Sequence, residues 1–388
     1  MNGRASISAD PWIVKRLSGF DFLCAVLSPS LSEKVRSLIV ETIESPSFAW
    51  MKFVDLATDQ LVAPAVAIRL HQLGLQSRLP EAVRRYFAAV YRLNRMRNAQ
   101  INLECVRIAG TLNGIGVTPV FFKGGAALFA DLYTDPAGRI ISDLDVLVPA
   151  THSAECINRL RASGYDADSN PHHPEDHSWA VLFPKSGAAP IDLHRDVVAY
   201  PYRHLLPAAD VLANAMVLRR EGAVFAVPSP THQVVVNVGH AQLHRNHGFI
   251  YGRLMLRSLI EIELMCQRWR DSIDWAEVED RFATIGARTA LNFHRIAAEE
   301  VFGRPLSPSL NAGWRARLAF RWAHFLTRNT GLLKITDRPL RVLMCLNREL
   351  SSAELRRRLY RNMGDRRWWS RHLAVFWRGG TAAASSGS

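Results

Sequence analysis

The stretch Val117–Pro149, VTPVFFKGGAALFADLYTDPAGRIISDLDVLVP, constrains the fold more than any other part of the chain. Val117 to Phe122 is a short, apolar, β-rich run. It breaks at Lys123-Gly124-Gly125 before an alanine- and leucine-rich segment of helical character, giving a strand, glycine turn, helix unit. Two glycines permit backbone angles and a close approach that a Cβ would block. N–H groups at the helix start can then face a phosphate oxygen, with Lys123 adding a point charge. A Gly-Gly pair after a strand also serves as a plain tight turn.

Further on, Ser142-Asp143-Leu144-Asp145-Val146-Leu147-Val148 alternates as a strand does, so Leu144, Val146 and Val148 face the core while Asp143 and Asp145 share the opposite face. Like charges on one strand face repel, which calls for a compensating cation. Hard divalent ions with oxygen ligands, Mg²⁺ above all, suit such a pair. The other reading is a strand start at a solvent edge, where Asp143 ends a turn and Asp145 is hydrated. A third acid follows in Pro190-Ile191-Asp192-Leu193-His194-Arg195, where Asp192 and His194 share one face and Ile191 and Leu193 the other. Three strand carboxylates fit a two-metal site, in which the third completes one ion's shell and accepts the proton of an attacking hydroxyl.

KGG, then DLD with apolar neighbours, then IDLH on a later strand, resembles the DNA polymerase β-like nucleotidyltransferase superfamily. FFKGGAAL, LYTDPAGRIISDLDVLV and IDLH are similar to one bacterial branch, the uncharacterised nucleotidyltransferases, in which a lysine precedes the glycine, an arginine precedes the D-x-D and a histidine follows the last acid. Lys123, Arg139 and His194 occupy those positions. The resemblance is most specific over Val117–Asp196 and extends diffusely from the N-terminal region to about Gly303. It implies that Asp143, Asp145 and Asp192 are catalytic residues and metal ligands for Mg²⁺, two ions with Mn²⁺ as a substitute. Lys123, Gly124, Gly125, Arg139 and Ser142 would bind the nucleoside triphosphate, ATP in the first place. A nucleoside monophosphate would pass to a hydroxyl or phosphate of a small molecule, peptide or protein, with pyrophosphate released. Two alternatives stay open: an enzyme that modifies nucleic acid, and a nucleotide-binding scaffold without chemistry.

The expected fold class is α/β (α+β), a small mixed sheet with helices on one side and its acids at an open face, flanked by all-helical regions. The expected boundaries are an N-terminal helical region over 1–114, the core over 115–228, a C-terminal helical region over 229–378 and a disordered tail over 379–388. Phe20–Leu27, Leu31–Ile43 and Phe48–Leu73 carry helical periodicity, as does a long segment from Pro80, whose stripe Tyr86, Val90, Leu93, Met96, Leu103 and Val106 is expected to pack inward. Thr231 is the expected cap of the first C-terminal helix.

Histidines cluster twice. His172, His173 and His177 lie in a proline-rich loop before the third acid, without regular metal-ligand spacing. His240, His244 and His247 recur at helical steps, on a face that either meets phosphates or crosses the core. By the resemblance His173, His194, His240 and His244 are candidates for substrate contact.

A net charge of +13 suits an anionic partner, whether nucleotide or nucleic acid, although arginine spread over helices also reads as solvated helix faces. Trp368, Trp369 and Trp377 among arginines read as packing. Five cysteines, an odd number and none in C-x-x-C spacing, point to free thiols rather than a disulfide framework. No apolar run is long enough for a bilayer and Met1–Phe20 lacks the apolar centre of a signal peptide, so a cytoplasmic protein without membrane partners is expected.

Overall fold

The computed structural model describes residues 17–168, 177–185, 189–199, 201–243, 248–306 and 313–329, with Leu332 and Gly364 as isolated positions. His172, His173, His244, His247, Cys345, the tryptophans from Trp368 onward and the 379–388 tail lie outside the described residues.

Four helices open the chain: α1 (Gly19–Leu27), α2 (Glu33–Glu44), α3 (Trp50–Asp59) and α4 (Ala63–Gln72). Ser18 and Ser32 cap the first two by accepting from Asp21 N and Val35 N, which satisfies donors that a helix start leaves free. The run Phe48–Leu73, expected to be helical, holds two helices, α3 and α4. Leu61, at φ 57°, turns the chain, and Pro64 in the first turn of α4 fits a new start because its missing N–H is not needed there.

Helix α5 (Glu81–Asn113) has 33 residues and spans roughly 50 Å at 1.5 Å per residue. Its first half places Val83 and Phe87 in the core of the helices, and its second half places Ile101, Cys105, Ile108 and Leu112 against the sheet. The expected inward stripe is split: Tyr86, Val90 and Val106 are half-buried against the two cores, but Leu93, Met96 and Leu103 are 67%, 63% and 59% exposed, while Asn94, Asn98 and Glu104 are buried. Polar side chains take the inner face here because a loop backbone has to be hydrogen-bonded there. At the end of α5, Asn113 donates from Nδ2 to Val224 O and accepts from Val224 N at Oδ1, both 2.8 Å, which fastens the helix to the sheet.

The core then runs β1 (Val120–Phe121), α6 (Gly124–Phe129), β2 (Leu144–Leu147), α7 (Ser153–Ala162), β3 (Tyr165–Ala167), β4 (Ser178–Pro184), β5 (Ile191–His194), α8 (Ala208–Ala213), β6 (Met216–Arg220) and β7 (Ala223–Val227). The seven strands form one mixed sheet in the order β3-β4-β5-β2-β1-β7-β6. β2 with β5 and β1 with β7 are parallel, and the other neighbours are antiparallel.

The two sheet faces do different work. Phe121, Val146, Phe225 and Val227 pack on α5, α6 and α7, whereas Val120, Phe122, Leu147 and Ala226 belong to the core of the helices that precede and follow the sheet. The expectation of helices on one side only is therefore corrected: the second face is covered as well.

Those covering helices continue with α9 (Pro230–Gln242), α10 (Gly248–Tyr251), α11 (Leu256–Arg268), α12 (Trp275–Thr284), α13 (Arg288–Phe302) and α14 (Trp314–Arg328). Ser229, not Thr231, caps α9 through His232 N at 3.3 Å, and Thr231 Oγ1 instead accepts from Asp274 N at 3.0 Å. The N- and C-terminal helices share one apolar core. Asp21 of α1, almost fully buried, closes that body by pairing with Arg328 of α14 at 2.5 Å and His324 at 3.6 Å. Among the described residues no helix is long and apolar enough to cross a membrane. Cys24, Cys105 and Cys156 are buried free thiols and Cys266 is a half-buried one.

Candidate active site

The glycine turn leaves β1 through Lys123, whose φ of 49° is uncommon for a residue with a side chain and strains the backbone where the lysine is aimed. The ammonium reaches Asp145 Oδ1 at 2.6 Å. The two glycines differ in role. A Cβ on Gly124 would sit 3.0 Å from Ile141 Cγ2, and one on Gly125 would sit 3.0 Å from Phe121 Cβ. Gly125 N–H is already donated to Phe122 O at 3.2 Å. Gly125 is thus a packing and turn residue, which corrects the expectation that both glycines offer an N–H to phosphate.

Asp145 and Asp192 are register partners on the parallel strands β2 and β5, so their side chains project on one face. Asp145 is buried and Asp192 half-buried. Asp143 lies just before β2, half-buried, and accepts the Ser142 hydroxyl at 2.6 Å.

Between the two strand acids stands His194, fully buried, with Nε2 2.9 Å from Asp145 Oδ1 and 3.3 Å from Asp192 Oδ2. Its Nδ1 lies 3.1 Å from Asp196 O. Both ring nitrogens face oxygen acceptors, so both carry protons and the ring is an imidazolium. Burial alone lowers its pKa, but the Asp192 charge and the hydrogen bonds to both acids outweigh this and push it up to about 9. Burial likewise works against the Asp145 carboxylate, yet Lys123 and His194 hold it well below the usual range, and His194 and Ser178 do the same for Asp192. His194, a candidate for substrate contact, is engaged here by the two acids.

His177, Asp192 and His194 bring ligand atoms within 4.8 Å of one another. With Nε2 of His194 facing two carboxylates, this trio is an ion-paired cluster around Asp192 rather than a set of free nitrogen ligands. The oxygens are another matter. Asp192 Oδ1 is buried without a hydrogen-bond partner, and both cationic contacts of Asp145 go to Oδ1. Carboxylate oxygens left over on one face fit a hard divalent cation.

Arg139 is buried and its Nε lies 2.7 Å from Glu261 Oε1 on α11. Burial disfavours its charge, but Glu261, Tyr133, Asp145 and Asp143 together raise its pKa. The loop that carries it is held by α5: Asn94 donates to Ala137 O and Arg139 O at 2.6 and 2.9 Å, Asn98 to Pro136 O and Arg139 O at 2.7 and 2.8 Å, and Arg97 Nε to Ile141 O at 2.9 Å. Glu261 in turn accepts from Asn237 of α9 at 3.1 Å. His240 is half-buried near the end of α9.

A family model described as uncharacterised nucleotidyltransferase matches residues 46–303. The chain belongs to this family. It is accordingly a nucleotidyltransferase, and the match takes in the helices on both sides of the sheet as well as the acids. No curated protein and no solved structure matches it.

Asn94, Asn98, Asn237 and Glu261, which hold the loop and side chain of Arg139 directly or through one another, were not found by sequence reasoning. Their signal was faint. Two asparagines four residues apart inside a long helix are poor helix formers, and that spacing marks a face with polar work to do.

Proposed function

We propose that this nucleotidyltransferase moves a nucleoside monophosphate from a nucleoside triphosphate, ATP first, to a hydroxyl of a small molecule or peptide, releasing pyrophosphate with help from Mg²⁺ or Mn²⁺. The observation that carries the reading is the pairing of Asp145 with Asp192 in register on one face, each with an oxygen that no protein donor uses. Asp143, Asp145 and Asp192 would hold the cations, which would neutralise charge along the triphosphate.

The side chains then divide the work. Lys123 and His194 balance the acids before nucleotide arrives, and so keep two carboxylates ionised side by side. Gly124 N–H and, once released from Asp143, the Ser142 hydroxyl would steady phosphate oxygens, and Arg139 would supply positive potential from behind. Asp192 orients the acceptor hydroxyl and takes its proton as the hydroxyl oxygen bonds to the α-phosphorus. The bond from that phosphorus to the bridging oxygen breaks, and pyrophosphate leaves with the electron pair. An acid face closed over by helices suits a small acceptor better than a nucleic-acid duplex.

Asp192→Asn keeps size and removes charge and basicity. Turnover, followed as pyrophosphate release with a panel of hydroxyl acceptors, should fall by about 10² to 10⁴ while calorimetric triphosphate affinity changes little. Asp143→Asn should weaken both. Equal turnover by wild type and Asp192→Asn would overturn the assignment.

A further inference from the structure

The register of the sheet carries the acid row beyond the acids themselves. Asp145 on β2 pairs with Asp192 on β5, and Asp192 pairs with Val181 on β4. Side chains paired across neighbouring strands project on one face, with opposed Cβ atoms about 5 Å apart. Val181 therefore stands beside Asp192 on the acid side of the sheet, and Phe183, two residues on, shares that side. At the other end of the strip, His194 and His177 close in on Asp192 Oδ2 at 3.3 and 3.9 Å.

Burial falls along this direction. The side chain of Asp145 is 4% exposed and that of Asp192 18%, Val181 is half-buried, and Phe183 is 42% exposed. The apolar residues that the flanking helices cover on this side, Val120, Phe122, Leu147 and Ala226, lie on or next to β1, β2 and β7. Val181 and Phe183 belong to neither apolar core, so among the described residues the cover thins past β5. One exposed apolar side chain is ordinary on a protein surface. Its place in line with the acids is what gives this one meaning.

Topology separates the two sides of the acids. Lys123 and the glycine turn leave β1, which adjoins β2, whereas β4 adjoins β5 on the far side of Asp192. The residues read as binding triphosphate and the Val181–Phe183 strip thus flank the acids from opposite sides. In-line displacement likewise holds the attacking and leaving oxygens on opposite sides of the phosphorus.

Resting on the nucleotidyl-transfer reading above, we propose that Val181 and Phe183 form the floor of the acceptor subsite and select a hydroxyl carried on an aromatic or alkyl body over one carried on a polyol. That hydroxyl meets Asp192, which takes its proton as the oxygen bonds to the α-phosphorus and pyrophosphate leaves. The floor runs roughly 7 Å from Val181 to Phe183 at two strand residues, the size of one ring or a short chain. It ends at Asp166, the register partner of Phe183, which faces solvent near Lys185. Hydroxyls of a polyol laid on these two side chains would give up water without a replacement partner, while an apolar body gains by covering them.

The test uses the full chain with MgATP and four acceptors, 2-phenylethanol and 1-hexanol against glucose and glycerol, followed as pyrophosphate release. Wild type should favour the first two by about 10-fold in kcat/KM. Phe183→Ser should raise the KM for 2-phenylethanol by about 10-fold, with calorimetric MgATP affinity within about twofold, and Phe183→Tyr should keep the wild-type KM. Should the serine variant misfold, Val181→Thr keeps the shape, places a hydroxyl in the floor and should raise the same KM. Equal kcat/KM for the two polyols, or an unchanged 2-phenylethanol KM in the folded variants, would overturn the proposal and leave the nucleotidyl-transfer reading standing. A wild type that binds MgATP yet releases no pyrophosphate with any of the four would overturn both.

Discussion

At Asp145 two cations converge on one carboxylate oxygen, and this single residue orders the site. Lys123 reaches it from the glycine turn and His194 from β5, so three separate stretches of chain are locked by one charge. The lock is pH-dependent in a definite direction. His194 is raised from 6.5 to about 9, so its stabilising charge is complete below about pH 6.5 and is lost as pH rises through about 9. In metal-free buffer the urea-unfolding stability should drop over that window, by about 1–3 kcal/mol from this group. His194→Gln should be less stable at pH 6 and should lose most of the slope, and a slope equal to that of the wild type would contradict the imidazolium assignment. The pairing of Asp145 with Asp192 was legible in the sequence because strand alternation decides which side chains share a face, whereas Asp143, read as their strand mate, lies just before β2. The state of His194 was not legible, since IDLH places the ring beside Asp192 but says nothing of Asp145 on the neighbouring strand.

Among the elements, α5 and the sheet show where periodicity informs and where it misleads. β7 runs over Ala223–Val227, where turn residues bound a compact β-rich run on each side. The α5 stripe was misread because the helix buries Asn94 and Asn98, whose burial is favourable only once the loop carbonyls of residues 136, 137 and 139 stand opposite. Those partners are some 40 residues away in sequence, and no local pattern announces them. The clasp of α1 on α14 is equally non-local. Burial opposes the Asp21 charge, but His324, Arg328 and Ser18 hold its pKa down at about 2, so its contribution is present above about pH 3.8 and disappears as pH falls through about 2. Arg328 is 37% exposed, and solvent screens the pair. Asp21→Asn should therefore cost about 1–2 kcal/mol at neutral pH and little at pH 2, measured by urea denaturation. An equal cost at both values would show that packing, not charge, closes the body.

Taken as a whole, the molecule is a small sheet with both faces covered, and its acids lie where the sheet meets the helices. The helical regions before and after the sheet share one apolar core, and α5 joins that core to the sheet. This explains why the family match spans 46–303 instead of the sheet alone: Glu261 and Asn237 of the C-terminal helices and Asn94 and Asn98 of α5 all bear on the loop of Arg139. The chemistry claimed for the site is transfer at the α-phosphorus, and labelled nucleotide reports on it directly. Wild-type protein with Mg²⁺ and an acceptor panel is given ATP labelled at the α-phosphate in one reaction and at the γ-phosphate in a parallel one. The α-label should appear in the product and the γ-label only in pyrophosphate, with both signals lost in Asp145→Asn; γ-label in the product would mean phosphoryl transfer and would contradict the account.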